Sequence, residues 1–203
     1  MWTGERRVDI VAPVYDLRGG PRKETRQDAA GRHAIARAVI RLAAKRDLLA
    51  EMRGDEPSVE PRLRLTGIDL FALAHWKHSW LSRRYAGGWD WKELYETYEG
   101  RPARFEVALW WADELCGLAL GKISEGRDVI RVDWMEGKAG KHPLKGRVAL
   151  LVADIAFVFA QAYKSRVVRF QNPLPGVISL YEELGFTYVD AGKNHRYCER
   201  STS

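Results

Sequence analysis

The stretch between residues 147 and 163 restricts the possible folds more than any other part of the chain. From about Arg147 to Tyr163 it is apolar nearly all round, with Asp154 and Gln161 as the exceptions. A helix of that kind leaves no face for water and belongs inside a core. Runs of strand character stand on both sides of it. Val129-Ile-Arg-Val-Asp-Trp-Met135 precedes the helix and Val167-Val-Arg-Phe170 follows it, and β-branched and aromatic residues at this density favour strands. Strand, crossover helix and strand make a right-handed βαβ unit, so the two strands are expected side by side and parallel.

The connection between the first strand and the helix is where chemistry can enter. Residues 136–147 place Gly137, Gly140 and Gly146 among Lys138, Lys141, His142, Lys145 and Arg147. A helix N-terminus exposes unpaired N–H groups and about half a positive charge. Glycines let the backbone approach a ligand, and five basic side chains add to the field, so the place suits a phosphate. A solvated basic turn accounts for the same composition. A Walker A loop does not fit, because Gly140-Lys141 is followed by His142 and position 135 is Met.

After the second strand, the run from Asn172 to Phe186 puts Val177, Leu180, Tyr181 and Leu184 on one helix face. Gly185 sits where a C′ glycine ends a helix, and Phe186 can fold back on the last turn. Strand, basic glycine loop, apolar helix, strand, then Leu-Tyr-Glu-Glu-Leu-Gly-Phe186 resembles the GCN5-related N-acetyltransferases. The resemblance covers about Pro61 to the C-terminus and is strongest from Val129 to Phe186. It implies an α/β fold with a mixed, mostly antiparallel sheet, a central parallel strand pair and flanking helices. It also implies acetyl-coenzyme A as donor cosubstrate, held by Trp134, Met135, Lys141, Lys145, Gly146, Arg147, Val148 and Asn172. Tyr181, in the Tyr-x-x-x-Gly-Phe element, is implied as the general acid toward the departing thiolate. For the base that relieves the amine of its proton, the resemblance points to a carboxylate at or near the Asp128 strand: Glu136 first, Asp133 second. A backbone N–H near Trp134 to Glu136 would face the carbonyl oxygen as charge develops. The loop departs from the family pattern of Gln or Arg, two residues, Gly, one residue, Gly or Ala. With Gly146 as the first glycine, Pro143 and Val148 fill the other two places; with Gly146 as the second, Lys141 fits the basic position and Leu144 replaces the first glycine.

The rest of the chain is read around that segment. At 203 residues it divides into an N-terminal extension, 1–58, and an acetyltransferase domain, 59–203. Val8 to Val14 reads as a short edge strand. From Ala29 to Arg53 runs a helical pattern with Ile35, Val39, Leu42, Leu49 and Met52 on one face and Arg37, Arg41 and Lys45 on another. That basic stripe is either a solvated face or a contact for RNA or an acidic protein. Gly54-Asp-Glu-Pro-Ser58 breaks the pattern. Leu63 to Gly67 is expected as the first strand of the domain. A helix from about Asp69 to Arg84 follows, with Leu70, Leu73, Trp80 and Leu81 inward, and then a short one over Trp91, Leu94, Tyr95 and Tyr98 behind an Asp90–Glu93 capping box. Strands Phe105–Trp111 and Leu115–Gly121 form a hairpin, and the Asp128 strand extends the meander.

A net charge of +6 favours an anionic partner, coenzyme A or a nucleic acid. Two cysteines, Cys116 and Cys198, give neither a disulfide framework nor metal spacing. The expected setting is a reducing cytoplasm, with no signal peptide and no membrane span. His75 and His78 lie one turn apart but lack further ligands in sequence for a metal. Most of the tryptophans between Trp76 and Trp134 are expected in the core, with one or two walling an acceptor pocket. The acceptor stays open among a small amine, a protein amino group and a charged tRNA, and a homodimer is open as well. The competing class is a non-catalytic module that binds coenzyme A or nucleic acid on a degenerate scaffold.

Overall fold

A computed structural model describes residues 25–52, 62–80, 88–192 and 195–202. In chain order these form α1 (Arg26–Met52), β1 (Leu63–Thr66), α2 (Leu70–Trp80), α3 (Trp91–Glu99), β2 (Arg104–Trp111), β3 (Glu114–Ile123), β4 (Val129–Gly137), α4 (Val148–Tyr163), β5 (Val167–Gln171), a 3₁₀ turn (Pro175–Val177), α5 (Ile178–Glu183), β6 (Thr187–Asp190) and β7 (Arg196–Ser201). The strands make one seven-stranded sheet in the order β1-β2-β3-β4-β5-β7-β6. Only β4 and β5 pair in parallel; the other neighbours are antiparallel. The apolar crossover helix thus does what its pattern requires. It joins the parallel pair and buries Leu151, Val152, Ile155, Val158, Phe159 and Tyr163 in the core that it shares with the sheet and α1. Burying each such large side chain stabilises the fold by about 1.5–3 kcal/mol.

The sheet separates two apolar layers. On one face α1 and α4 pack over Phe105, Val107, Leu109, Ile130, Val132, Val168 and Phe170. On the other, α2 and α3 pack over Ala108, Trp110, Leu118 and Leu120 with Trp76, Trp80 and Trp91. Four of the tryptophans are therefore core, as expected from their number in this half of the chain.

Helix starts follow local chemistry. The Thr25 hydroxyl accepts from the Asp28 N–H at 3.1 Å while Asp28 reaches back to the Thr25 N–H. Asp69 accepts from the Ala72 N–H at 2.8 Å, and Asp90 accepts from the N–H groups of Lys92 and Glu93. These side chains satisfy donors that a helix leaves open. The N-terminus of α4 has no such cap and no acid in its first turn.

Two expectations about helix faces are corrected. On α1 the buried side is His33, Ala36, Arg37, Ile40, Ala44, Leu48 and Leu49, whereas Ile35 and Leu42 are 63% and 68% exposed. Arg37 and Arg41 are neither a solvated stripe nor an RNA surface. They turn inward to the buried Glu106 on β2, with Arg37 Nε at 3.1 Å and Arg41 Nη1 at 3.8 Å from Oε1. Arg104 Nε closes on Oε2 at 2.7 Å, and Arg37 also donates to the Pro102 carbonyl. The hydrophobic count alone favoured the Ile35–Leu42 side; a buried carboxylate distant in sequence decided otherwise. On α2, Leu70 is 85% exposed, because the helix buries Ala72, Leu73, Trp76 and Trp80 instead. The expected strand Val8–Val14, the break at Gly54–Ser58 and Leu81 to Arg84 lie outside the described residues.

Candidate functional site

A cleft opens where β4 and β5 part. Their parallel pairing ends at Val132 opposite Phe170, while β4 stays on β3 as far as Gly137 and β5 stays on β7 to Gln171. A bulge causes the divergence. Leu120 pairs with Trp134 and Gly121 with Val132, so Asp133 is an extra residue on β4. Such an insertion bends the strand and shifts its facing by one residue. Ahead of the bulge, Val132 packs in the α1–α4 layer; beyond it, Trp134 packs with the α2–α3 layer and Met135 returns to the first. Gly121 permits the bulge, since a Cβ there would stand 1.9 Å from the Arg131 carbonyl oxygen.

The cleft has a volume of about 310 Å³. Trp134 and Met135 line it from β4, Phe170 and Gln171 from β5, Asn172 from just past the end of β5, and Tyr181 from α5. Trp89 and Trp134 meet edge to face at 5.3 Å on its wall. Asn172 leaves β5 with φ of 47° and donates its N–H to the Arg196 carbonyl.

Tyr181 is placed by the end of α5. The Phe186 N–H bonds to the Tyr181 carbonyl and the Gly185 N–H to that of Glu182, both at 2.9 Å, with Gly185 at φ of 80°. This is the Schellman closure that the Leu-Gly-Phe sequence announced. It lays the phenol ring on Phe170, centroids 4.6 Å apart, with Phe186 edge-on. Burial raises the Tyr181 pKa well above the usual phenol value, with the nearby Cys198 thiol adding to the effect. The phenol stays protonated at neutral pH.

Of the two carboxylates on β4, Asp133 lines the cleft. It accepts from the Tyr98 hydroxyl at 2.7 Å and lies against the Arg131 guanidinium. Burial and that hydrogen bond push the Tyr98 pKa up to about 12. Glu136 stands farther along β4, outside the lining set, and accepts from the Trp91 indole N–H at 2.6 Å. The bulge, which sequence periodicity does not register, sets this difference.

The basic loop sits at the start of α4, at the carboxyl ends of the parallel strands, where open α/β sheets hold ligands. Lys141, Lys145, Gly146 and Arg147 are exposed there, and Gly146 has φ of 79°. Val148 is buried, packed toward Gly117 and Gly137. Leu144, which stands where the family pattern has a glycine, is fully buried beneath the loop. The loop's cationic field is smaller than its five basic residues suggested. Lys138 Nζ is held by Glu114 at 2.7 Å. Burial lowers the His142 pKa, with Lys145 and Lys138 acting in the same direction against Glu114, so the imidazole is neutral at pH 7.

Among the described residues no cluster of His, Cys, Asp or Glu could hold a metal ion. His75 packs instead against Phe71 at 4.4 Å and Trp110 at 5.1 Å. Cys116 and Cys198 are unpaired and buried. No helix among the described residues is long and apolar enough to cross a membrane.

No family model matches the chain, and no curated protein matches it in sequence. Solved structures do match. A variant of the spermidine N-acetyltransferase SpeG from Vibrio cholerae is 17% identical, with a TM-score of 0.52 over 70% of this chain and 95% of that one. Ard1 from Thermoplasma volcanium is 11% identical, with a TM-score of 0.52 over 69% of this chain and 97% of its own. An acetyltransferase from Thermus thermophilus is 18% identical, with a TM-score of 0.51 and coverages of 69% and 97%. The chain has the fold of the GCN5-related N-acetyltransferases.

Within that acetyltransferase fold, Trp89 and Trp134 are the tryptophans found on the cleft wall, and the lining residues that sequence reasoning assigned to no site are Tyr98, Arg131, Val132, Phe170, Gln171, Pro173, Leu174 and Val177. Tyr98 was legible only as one apolar position on a helix. Its hydroxyl finds Asp133 because α3 crosses the bulge, and no local signal carries that crossing.

Proposed function

We propose that this protein is an acetyl-coenzyme A-dependent N-acetyltransferase that moves an acetyl group directly to an amine. The observation that carries this reading is the opening of β4 from β5 at the Asp133 bulge, with the buried Tyr181 phenol facing the cleft and the uncapped start of α4 at the same end of the sheet. The free N–H groups of α4, with Lys141, Lys145, Gly146 and Arg147, suit a pyrophosphate. Val148 contributes through its backbone, since its side chain is buried. Trp134, Met135 and Asn172 line the space beside which a thioester would lie.

The amine must lose a proton to attack the carbonyl carbon. A water held on Asp133 relays that proton to the Asp133 carboxylate, with Glu136 the alternative acceptor farther along the strand. As the C–N bond forms, N–H groups of the bulged strand face the carbonyl oxygen. The C–S bond then breaks and the sulfur takes the Tyr181 proton. No covalent enzyme intermediate is required, and the buried cysteines offer no nucleophile: burial first, and the nearby carboxylates second, push both thiols up to about 11.

Calorimetric titration with acetyl-coenzyme A tests the reading, with Lys145→Ala/Arg147→Ala in parallel. Micromolar binding that the double variant weakens supports it, and Tyr181→Phe then lowers kcat by about 10²-fold. A folded protein that does not bind the thioester at millimolar concentration refutes it. Leu144 filling the loop favours the non-catalytic reading; that reading predicts coenzyme A binding with no turnover of any amine.

A further inference from the structure

Four cations stand in one row across the sheet. Arg104 on β2 is opposite Lys122 on β3, Lys122 is opposite Arg131 on β4, and Arg131 is opposite Arg169 on β5. Their strand neighbours Phe105, Ile123, Ile130, Val132, Val168 and Phe170 are buried in the α1–α4 layer, so the four cations face the other way. Strands are about 4.8 Å apart, and like charges directly opposite one another destabilise a sheet. A row of this kind needs matching anions.

Three of the four have one. Arg104 meets Glu106 at 2.7 Å, Arg169 meets Glu199 at 2.7 Å, and Arg131 lies against Asp133. Lys122 has no carboxylate among the described residues, and it is half-buried. Its neighbour Glu106 is already shared among Arg37, Arg41 and Arg104. Counted over the ion pairs of the described residues, the row and its backing set six cations against three carboxylates, with the excess at the Arg104–Lys122 end. A positive excess against a low-dielectric wall concentrates the field. The next residue in the row, Arg131, lines the cleft.

We propose that the acceptor amine carries an anionic group, a carboxylate or a phosphate, which Lys122 receives beside Arg131 while the amine enters the cleft. This deepens the acetyltransferase reading and rests on it. The anion supplies the match that Lys122 lacks and turns a repulsive row into an alternating one. Lys122 is one strand spacing from Arg131, so a linker of a few bonds joins the two groups of the acceptor.

The test compares three acceptors that share a pentyl chain: aminopentanol, aminopentanoate and aminopentyl phosphate. Acetyl transfer is measured with acetyl-coenzyme A, and binding is measured by calorimetry on protein saturated with coenzyme A. At low salt, at least one anionic acceptor exceeds aminopentanol by about tenfold in both kcat/KM and affinity, as one charge-assisted contact provides. The advantage falls as salt rises. Whichever anion gains more identifies the group. Lys122→Ala abolishes the advantage, Lys122→Arg retains it, and neither changes aminopentanol. Lys122→Ala does not lower the urea midpoint, since it relieves repulsion. Equal binding of the three acceptors, or an anionic advantage that survives Lys122→Ala, overturns the proposal. Failure to bind acetyl-coenzyme A is instead a failure of the acetyltransferase reading, and calorimetry of the three amines on the free protein still reads the anion preference.

Discussion

Replacing Glu106 by Gln keeps the shape of the side chain and removes the carboxylate that, among the described residues, pairs with Arg37, Arg41 and Arg104. Its two oxygens hold Arg37 at 3.1 Å and Arg104 at 2.7 Å, with Arg41 at 3.8 Å, and the Glu106 side chain is only 5% exposed. Breaking one buried ion pair costs about 3–5 kcal/mol, because the surviving charge stays buried without a partner. Here two close pairs and a third cation depend on one carboxylate, so Glu106→Gln is expected at the upper end, about 5 kcal/mol. That is a large share of the ~5–15 kcal/mol that separates folded from unfolded protein. For a chain of this size it corresponds to a fall in Tm of roughly 10–20 °C. Urea unfolding followed by circular dichroism measures it. Arg37→Met is the informative companion. It removes a cation from an excess and leaves Glu106 with Arg104 and Arg41, so it should cost less than half as much. The exposed pair Lys92–Glu96, at 3.7 Å, is the control, and Lys92→Ala should stay within about 0.5 kcal/mol. A loss below about 1 kcal/mol for Glu106→Gln, or a larger loss for Arg37→Met, would refute the argument that net positive charge is buried here.

Gly121→Ala places a methyl group against the Arg131 carbonyl; the expected cost is about 3 kcal/mol or more, with acetyl-coenzyme A binding weakened because the bulge moves, and an unchanged urea midpoint would count against the bulge. Asp133→Asn should lower kcat/KM by about 10²-fold at neutral pH while Glu136→Gln has the smaller effect; the reverse order in steady-state assays would return the base to Glu136. Burial lowers the His142 pKa, so the unfolded chain takes up a proton first, near pH 6.5, and the stability contributed by the neutral ring is full above that pH and lost as pH falls through the folded value. Comparing urea midpoints at about pH 7.5 and about pH 5.5, on either side of the unfolded histidine value, wild type should lose more than His142→Gln. Both thiols, buried and shifted upward, should resist iodoacetamide at neutral pH until denaturant is added, as counted by mass spectrometry.

The parallel strand pair could be read from the sequence because its evidence is local and redundant. A helix that is apolar all round between two β-branched runs has few other homes, and Tyr181-x-x-x-Gly185-Phe186 encodes its own closure through a glycine at φ of 80°. The starts of α2 and α3 are legible for the same reason, since Asp69 and Asp90 act within three residues of themselves, whereas the Thr25 cap sets α1 off at Arg26, ahead of the Ala29 where its apolar pattern begins. Basicity of the 136–147 loop was legible too, but not which cations stay free. Lys138 is matched by Glu114, 24 residues earlier in the chain.

What the sequence determined by itself is therefore the order of elements, the crossover, and the place of Tyr181. These depend on periodicity and turn chemistry, which act over one or two turns of chain. The tertiary structure decided which side of α1 is buried, which carboxylate lines the cleft and which cations share a row. Arg37 and Glu106 are 69 residues apart, and Tyr98 and Asp133 are 35 apart. The bulge that selects Asp133 over Glu136 is a matter of register between β3 and β4. Register follows from packing on both faces of the sheet at once, and no window along a single strand contains that information.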